Sequence, residues 1–354
     1  TREFHATASQ AGLVSGVFIV GVLAGRLLSI QLMRRVGRKR SLLIGLMLTV
    51  AACLCYFIEA GIGFLIANRF LHGASVGIAA TVIATVVAHL IPVSRSGEGI
   101  GYYSMSSSLA TAIGPFVGIL MLQYTEFRMI LALCTFLSVV CLLVGAMLKV
   151  PEKEQVNAKA KSGFSFGELI EPRVVPIAVV ALLLGTYYSS VLSFLNVYAL
   201  ESGLARAASF FFIVYAVTLM ASRPFTGRLL DRRGANIIMY PGFVIMALGL
   251  ITLGMAGSGT HLLLSAFLLG LGFGNMQSSA QAIAIKSVEP EQFGVATSTF
   301  YIFVDAGLGF GPYLLGLVVP YTGYADLYSL LGCLTFASIG VYYVVCGRRK
   351  IPVR

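Results

Sequence analysis

The chain has 354 residues, 58% hydrophobic and 11% charged, with a formal net charge of +11 and a mean hydropathy of +0.90. A soluble domain carries about a quarter charged residues, so this composition excludes a water-exposed globular surface. It also excludes a transmembrane β-barrel, because barrel strands alternate apolar with polar residues and these runs are apolar on nearly all sides.

Taken in chain order, apolar runs near or above the roughly 20 residues that cross a bilayer predict eleven helices. They lie near 10–33, 41–58, 62–90, 98–123, 127–148, 174–200, 207–230, 237–256, 261–287, 294–321 and 325–346. Most connections are short, which makes neighbours antiparallel. The exception is 149–173, with the charged stretch PEKEQVNAKAKSG. The expected organisation is a five-helix bundle over 1–148, a linker over 149–173, a six-helix bundle over 174–346 and a tail over 347–354.

Alternate loops hold nearly all the basic residues. One set contains 19 Lys and Arg, including Arg34, Arg35, Arg38, Lys39 and Arg40 at one end and Arg348, Arg349, Lys350 and Arg354 at the other; the opposite set contains Arg2, Arg128 and Arg206. The basic side is expected to be cytoplasmic, which places the linker and the C-terminus inside the cell.

The two halves match at one displacement of 197. Arg26 pairs with Arg223, Gly37 with Gly234, Gly73 with Gly270, Gly77 with Gly274, Gly97 with Gly294, and Gly114-Pro115 with Gly311-Pro312. Such internal repeats are a transporter construction. Subtracting the offset from 174–200 leaves the first helix of the second half with a partner that ends near residue 1. The expectation is therefore twelve helices in the parent architecture, eleven of them (five plus six) in this chain.

Several motifs carry a family resemblance. Gly227-Arg228-Leu229-Leu230-Asp231-Arg232-Arg233-Gly234 resembles the GxLxDRxG loop of the major facilitator superfamily; its first-half counterpart, Ile30 to Arg40, keeps Gly37 but has Ile30 and Arg34 in place of Gly and Asp. Arg69-Phe70-Leu71-His72-Gly73 resembles the Arg-containing motif of the family's fourth helix. Gly97, Gly101, Gly114-Pro115 and Gly118 resemble the fifth-helix glycine motif of drug:proton antiporters, with Ala110 and Ile119 replacing two glycines. The resemblance implies an all-α major facilitator fold, residence in a bacterial cytoplasmic membrane, a monomer, and a secondary transporter for a small organic solute. It favours proton-coupled export. The alternatives are proton symport of a sugar or organic acid, and a truncated chain that does not transport.

Charged groups in a span cost about 2.5–3.5 kcal/mol on insertion scales and face the protein interior. Asp305 is an acid deep in a span, roughly 16 Å from its helix start at 1.5 Å per residue, on one face with Tyr301, Gly309 and Pro312. It is a candidate proton site or a structural acid bonded to a neighbouring helix. Arg69 is a candidate for substrate or proton-coupling chemistry, or for structural pairing. Arg26 and Arg223 lie one or two turns from the predicted basic ends of their helices and read as a repeated structural or gating pair, within reach of snorkelling. Asp231 is expected to meet basic groups or a helix end.

Cavity candidates follow from the resemblance, which assigns the lining to spans 62–90, 174–200 and 261–287. They are His72, then Tyr187, Ser190, Phe194 and Tyr198 on one face with Asn196 nearby, and Asn275, Gln277 and Gln281. Each also has a packing reading. Gly114, Pro115, Gly118, Gly311 and Pro312 suit a hinge or close packing. The six cysteines read as apolar fillers. No metal-ligand cluster, Walker loop or nucleophile elbow is present, so neither an enzyme, a cofactor nor a metal centre is expected, and dispersed basic loops argue against nucleic acid.

Overall fold

The structure, a computed structural model, describes residues 8–58, 60–150 and 169–347. The expected helix before residue 1, most of the linker, and tail residues 348–354 lie outside the described residues. Eleven helices and no strands occur among those that are described. They are α1 (Ala8–Val36), α2 (Arg38–Cys55), α3 (Gly61–Leu90), α4 (Ser96–Tyr124), α5 (Phe127–Met147), α6 (Val175–Glu201), α7 (Ala205–Arg233), α8 (Asn236–Gly254), α9 (Gly259–Lys286), α10 (Phe293–Gly316) and α11 (Val319–Tyr342). Nine are long and apolar enough to span a membrane; α2 and α4 fall outside that set, α2 because its 18 residues include Arg38, Lys39 and Arg40.

The 197-residue displacement governs the helix boundaries. Helices α1 and α7 end at Val36 and Arg233, and α4 and α10 begin at Ser96 and Phe293. The turns agree as well. Gly37 and Gly234 take φ of 84° and 86° between matching helices, a region that L side chains avoid. Helix α10 ends at Gly316, five residues before the expected boundary, because Leu317 and Val318 form a turn. The following helix kinks at Gly323, whose φ is 72°.

By contacts the chain forms two compact units. The first comprises Thr1–Leu90, Pro115–Glu171 and Pro290–Asp305; the second comprises Ile91–Gly114, Pro172–Glu289 and Ala306–Arg354. Helices α4 and α10 are thus each divided, and the start of each belongs with helices from the other repeat.

In the first unit α1 and α3 lie backbone to backbone. A Cβ at Gly21 or Gly25 would overlap the carbonyls of Phe70 and Ala74, and one at Gly73 or Gly77 would overlap those of Phe18 and Val22. This reciprocal pair of small-xxx-small stripes removes side chains from the seam and substitutes close main-chain packing. Lys39 closes the other side of the unit. Its ammonium donates to the carbonyls of Gly145, Ala146 and Leu148 at 2.7, 2.7 and 2.6 Å, capping the end of α5, where cations are favoured by the helix dipole.

In the second unit the equivalent seam, α7 against α9, carries Thr218 and Ser222 where the first has Gly21 and Gly25. Helix α9 accommodates them with a π-helical turn at Gly270–Gly274. A Cβ on Gly270 would lie 2.8 Å from the Tyr215 carbonyl, and one on Gly272 would lie 2.7 Å from the Met246 nitrogen. Two glycine contacts thus let α7 and α8 press against the wide turn.

A matched pair of substitutions tests the α1–α3 seam. Gly25→Ala is expected to lower the thermal unfolding midpoint of the purified protein, since overpacking costs about 1–3 kcal/mol or more where backbone is the obstacle. Gly114→Ala, which meets nothing within 4 Å, is expected to leave the midpoint unchanged or raise it.

Candidate functional site

Two sets of charges organise the two units, one deep in its helices and one at helix ends. In the first, α1 extends to Val36 rather than 33, so Arg26 sits about 15 Å from its basic end at 1.5 Å per residue. That is nearly three turns from the helix end, more than the one or two expected. Asp305 lies about 18 Å from the start of α10 by the same measure. The Arg26 Nε donates to Asp305 Oδ2 at 2.5 Å. The second arm, Nη1, donates to Thr81 Oγ1 at 3.2 Å, and the guanidinium lies 4.5 Å from the centre of the Tyr301 ring. Both charged side chains are largely withdrawn from solvent, at 8% and 19% exposure.

Further contacts hold the first half of α10 in this unit. Ser298 donates its hydroxyl to the Arg26 carbonyl at 3.0 Å. Phe293 packs edge-on against His89 at 4.8 Å. The Glu171 amide donates to Thr299 Oγ1 at 3.0 Å, and Gln292 donates back to the Glu171 carboxylate at 3.1 Å.

In the second unit, Asp231 sits at the start of α4. Its two oxygens accept from the main-chain nitrogens of Gly97 and Glu98 at 2.9 and 3.0 Å, and Lys286 Nζ donates to Oδ1 at 2.7 Å. A carboxylate here satisfies orphan donors of the first helical turn and meets the positive end of the helix dipole. Both members of the ion pair are 9% exposed. A Cβ on Gly97 would lie 2.8 Å from the Gly227 carbonyl, and one on Gly227 would lie 2.8 Å from the Glu98 Cα, so both glycines are required for the approach. Arg228 and Arg95 add ion pairs to Glu98 at 3.0 and 2.8 Å. These arginines are exposed and contribute little.

Arg223, the repeat partner of Arg26, donates Nη2 to the Gly274 carbonyl of the π turn at 2.7 Å. Its residue is buried. The position matching Asp305 is Ser108, so the two repeats place an arginine alike and provide for it differently.

The remaining candidates separate into packed and open residues. Tyr187 bonds Ser338 at 3.0 Å, Ser190 donates to the Tyr187 carbonyl at 2.6 Å, and Tyr198 donates to the Leu253 carbonyl at 3.0 Å. Phe194 meets Tyr324 at 5.7 Å. That face of α6 therefore packs on α8 and α11 with its hydroxyls engaged, while Asn196 is exposed. Asn275 bridges Ser222, Thr226 and the Leu271 carbonyl at 2.8 to 2.9 Å. Gln281 is buried and Gln277 half-buried.

His72 meets the Tyr56 hydroxyl at 3.1 Å through Nδ1, and Arg69 reaches the same hydroxyl at 3.4 Å. Gly114 and Gly118 meet nothing within 4 Å, whereas a Cβ on Gly311 would overlap the Ser189 hydroxyl. Pro312 lies inside α10; the Pro115 side chain is outside the described set.

Sequence reasoning missed Thr81, Ser298, Glu171 and Lys286. Lys286 reads as a loop charge in the sequence, and the structure places it as the last residue of α9, a helix-end position.

A family model described as the Major Facilitator Superfamily matches residues 1–312 and 205–353. The uncharacterized MFS-type transporter MJ1560 of Methanocaldococcus jannaschii is 24% identical over 343 residues, covering 93% of this chain and 86% of the relative. The uncharacterized MFS-type transporter YcaD of Escherichia coli is 23% identical over 356 residues, covering 99% and 90%. Among solved structures, FucP, a transporter in the outward conformation, superposes with a TM-score of 0.77 at 18% identity, covering 97% of this chain and 91% of that one.

A double-mutant cycle tests the Asp231–Lys286 pair. Asp231→Ala and Lys286→Ala are each expected to destabilise the protein, because removing one partner strands a buried charge at a cost of about 3–5 kcal/mol. The double variant is expected to lose less than the sum, with a coupling of roughly 1–3 kcal/mol in thermal or denaturant unfolding.

Proposed function

The chain belongs to the major facilitator superfamily of multi-pass secondary transporters, and we propose that it exports a small organic solute across the plasma membrane in exchange for protons. The observation that carries this reading is the buried Arg26–Asp305 pair. A carboxylate in a low-dielectric span is a proton carrier in many pumps and transporters. Protonation removes the negative charge that compensates Arg26 and weakens the strongest contact holding the first half of α10 to α1 and α3. Proton binding and helix release thereby become one event, which is what coupling demands of a switch.

The Asp231 cap on α4 serves as the second hold in this reading. Its lysine partner and two main-chain donors hold the carboxylate in place at the start of the helix. The basic loops place the central linker and the C-terminus in the cytoplasm under the same proposal. Export by alternating access then uses α10 as the proton-sensitive element and α4 as the fixed one.

The test uses the purified chain in liposomes with a trapped pH dye and a panel of small organic solutes. A solute gradient across wild-type vesicles is expected to move protons in the opposite direction. Asp305→Asn is expected to reduce that proton flux about tenfold or more while solute exchange without a gradient persists, as removal of one general proton carrier costs on the order of 10² or more. Proton flux in the same direction as the solute would convert the assignment to symport. Undiminished coupling in Asp305→Asn would remove Asp305 from the mechanism.

A further inference from the structure

Arg69 differs from the cations described so far. Arg26 and Lys286 each face a carboxylate inside their unit. Arg69 lies about 12 Å into α3 at 1.5 Å per residue and has no acidic partner among the described residues. Its one hydrogen bond runs from Nη1 to the Tyr56 hydroxyl at 3.4 Å, at the long limit for such a contact. Its Nε is buried with no hydrogen-bond partner. One face of the guanidinium is covered by the Phe18 ring, 4.9 Å from Cζ. The Tyr56 hydroxyl is also within 3.1 Å of His72 Nδ1, and His72 stacks edge-on with both Phe18 and Tyr56, at 5.4 and 5.6 Å.

A half-buried guanidinium whose Nε is enclosed, met by one long bond and one ring, keeps part of its desolvation cost. Ring stacking contributes about 0.5–2 kcal/mol, whereas a bidentate carboxylate supplies two charge-assisted bonds. The donor edge of Nε and Nη2 lies in the guanidinium plane, away from the face that Phe18 occupies. Tyr56 supplies a hydroxyl beside it, and His72 fixes that hydroxyl from the far side.

We propose that Arg69, with Tyr56 as second donor and Phe18 as a stacking wall, forms a subsite for the carboxylate of a small organic anion. The transported solute would then belong to the class of organic carboxylates. This inference rests on the transport function proposed above for its meaning, but not on the Arg26–Asp305 coupling. The planar fork and the ring favour a flat carboxylate over a compact inorganic ion.

The test is equilibrium binding by thermal shift on the purified full chain in detergent, with no pH gradient. Benzoate and its neutral isostere benzamide are the probes. Benzoate is expected to raise the unfolding midpoint in a saturable manner and benzamide to leave it unchanged. Arg69→Gln is expected to weaken the apparent benzoate affinity about tenfold or more, the range expected for a charged hydrogen bond, and Arg69→Lys to recover part of it.

Tyr56→Phe, which keeps the ring, is expected to weaken benzoate binding by a smaller factor and serves if Arg69→Gln does not fold. Absence of proton exchange in the liposome test, with the benzoate-over-benzamide selectivity intact, would sink the exchange reading and leave this one standing. Equal stabilisation by benzoate and benzamide, or a benzoate response unchanged in both Arg69→Gln and Tyr56→Phe, would overturn the subsite.

Discussion

Burying the charge of Arg26 sets the terms for the first unit. An arginine this deep is tolerated only where a carboxylate, a hydroxyl and a ring meet it, and here they come from α10 and α3. The first half of α10 is therefore committed to α1 and α3 even though it follows α9 in sequence. The glycine seam between α1 and α3 makes that commitment rigid. With backbones in contact there is little freedom for α1 to rotate Arg26 away.

The second unit solves the equivalent problem with different chemistry. Arg223 is positioned by the same repeat, and it donates to a main-chain carbonyl that the π turn of α9 presents. The anion moves to the helix end, where Asp231 caps α4. At that end of the first unit, the matching positions are Arg34, His89 and Val295 in place of Asp231, Lys286 and Glu98. The start of α10 is held by Phe293 on His89 and by the Glu171 contacts. One duplicated scaffold thus carries a deep ion pair on one side and a helix-end ion pair on the other.

Much of the architecture was legible in the residues. Eleven apolar runs, two glycine turns and one displacement of 197 predicted helix positions within a few residues, because long apolar segments in lipid have few alternatives to the helix. The GxLxDRxG stretch announced that Asp231 would meet a helix end. What the sequence hid were partners separated by long stretches of chain. Asp305 and Arg26 stand 279 residues apart, and periodicity reports which face a residue occupies without reporting what lies opposite.

The α6 face illustrates the same limit. Tyr187, Ser190 and Tyr198 share the spacing expected of a polar lining, yet their hydroxyls are consumed by Ser338, a carbonyl one turn back and the end of α8. A hydroxyl in lipid must find an acceptor wherever it points, so an amphipathic stripe marks polarity without distinguishing a cavity from a packed seam.

The unequal treatment of the two arginines has a mechanistic consequence. Asp231 accepts three strong donors, two of them main-chain groups that cannot move without unwinding the first turn of α4. Asp305 accepts from one side chain on a different helix. The same guanidinium also meets Thr81 and the Tyr301 ring. Breaking the Asp305 pair disturbs side chains alone, whereas breaking the Asp231 pair disturbs main-chain hydrogen bonds at a helix terminus. Two copies of one scaffold thus hold an acid in two ways, one deep in α10 against a side chain and one at the start of α4 against the main chain.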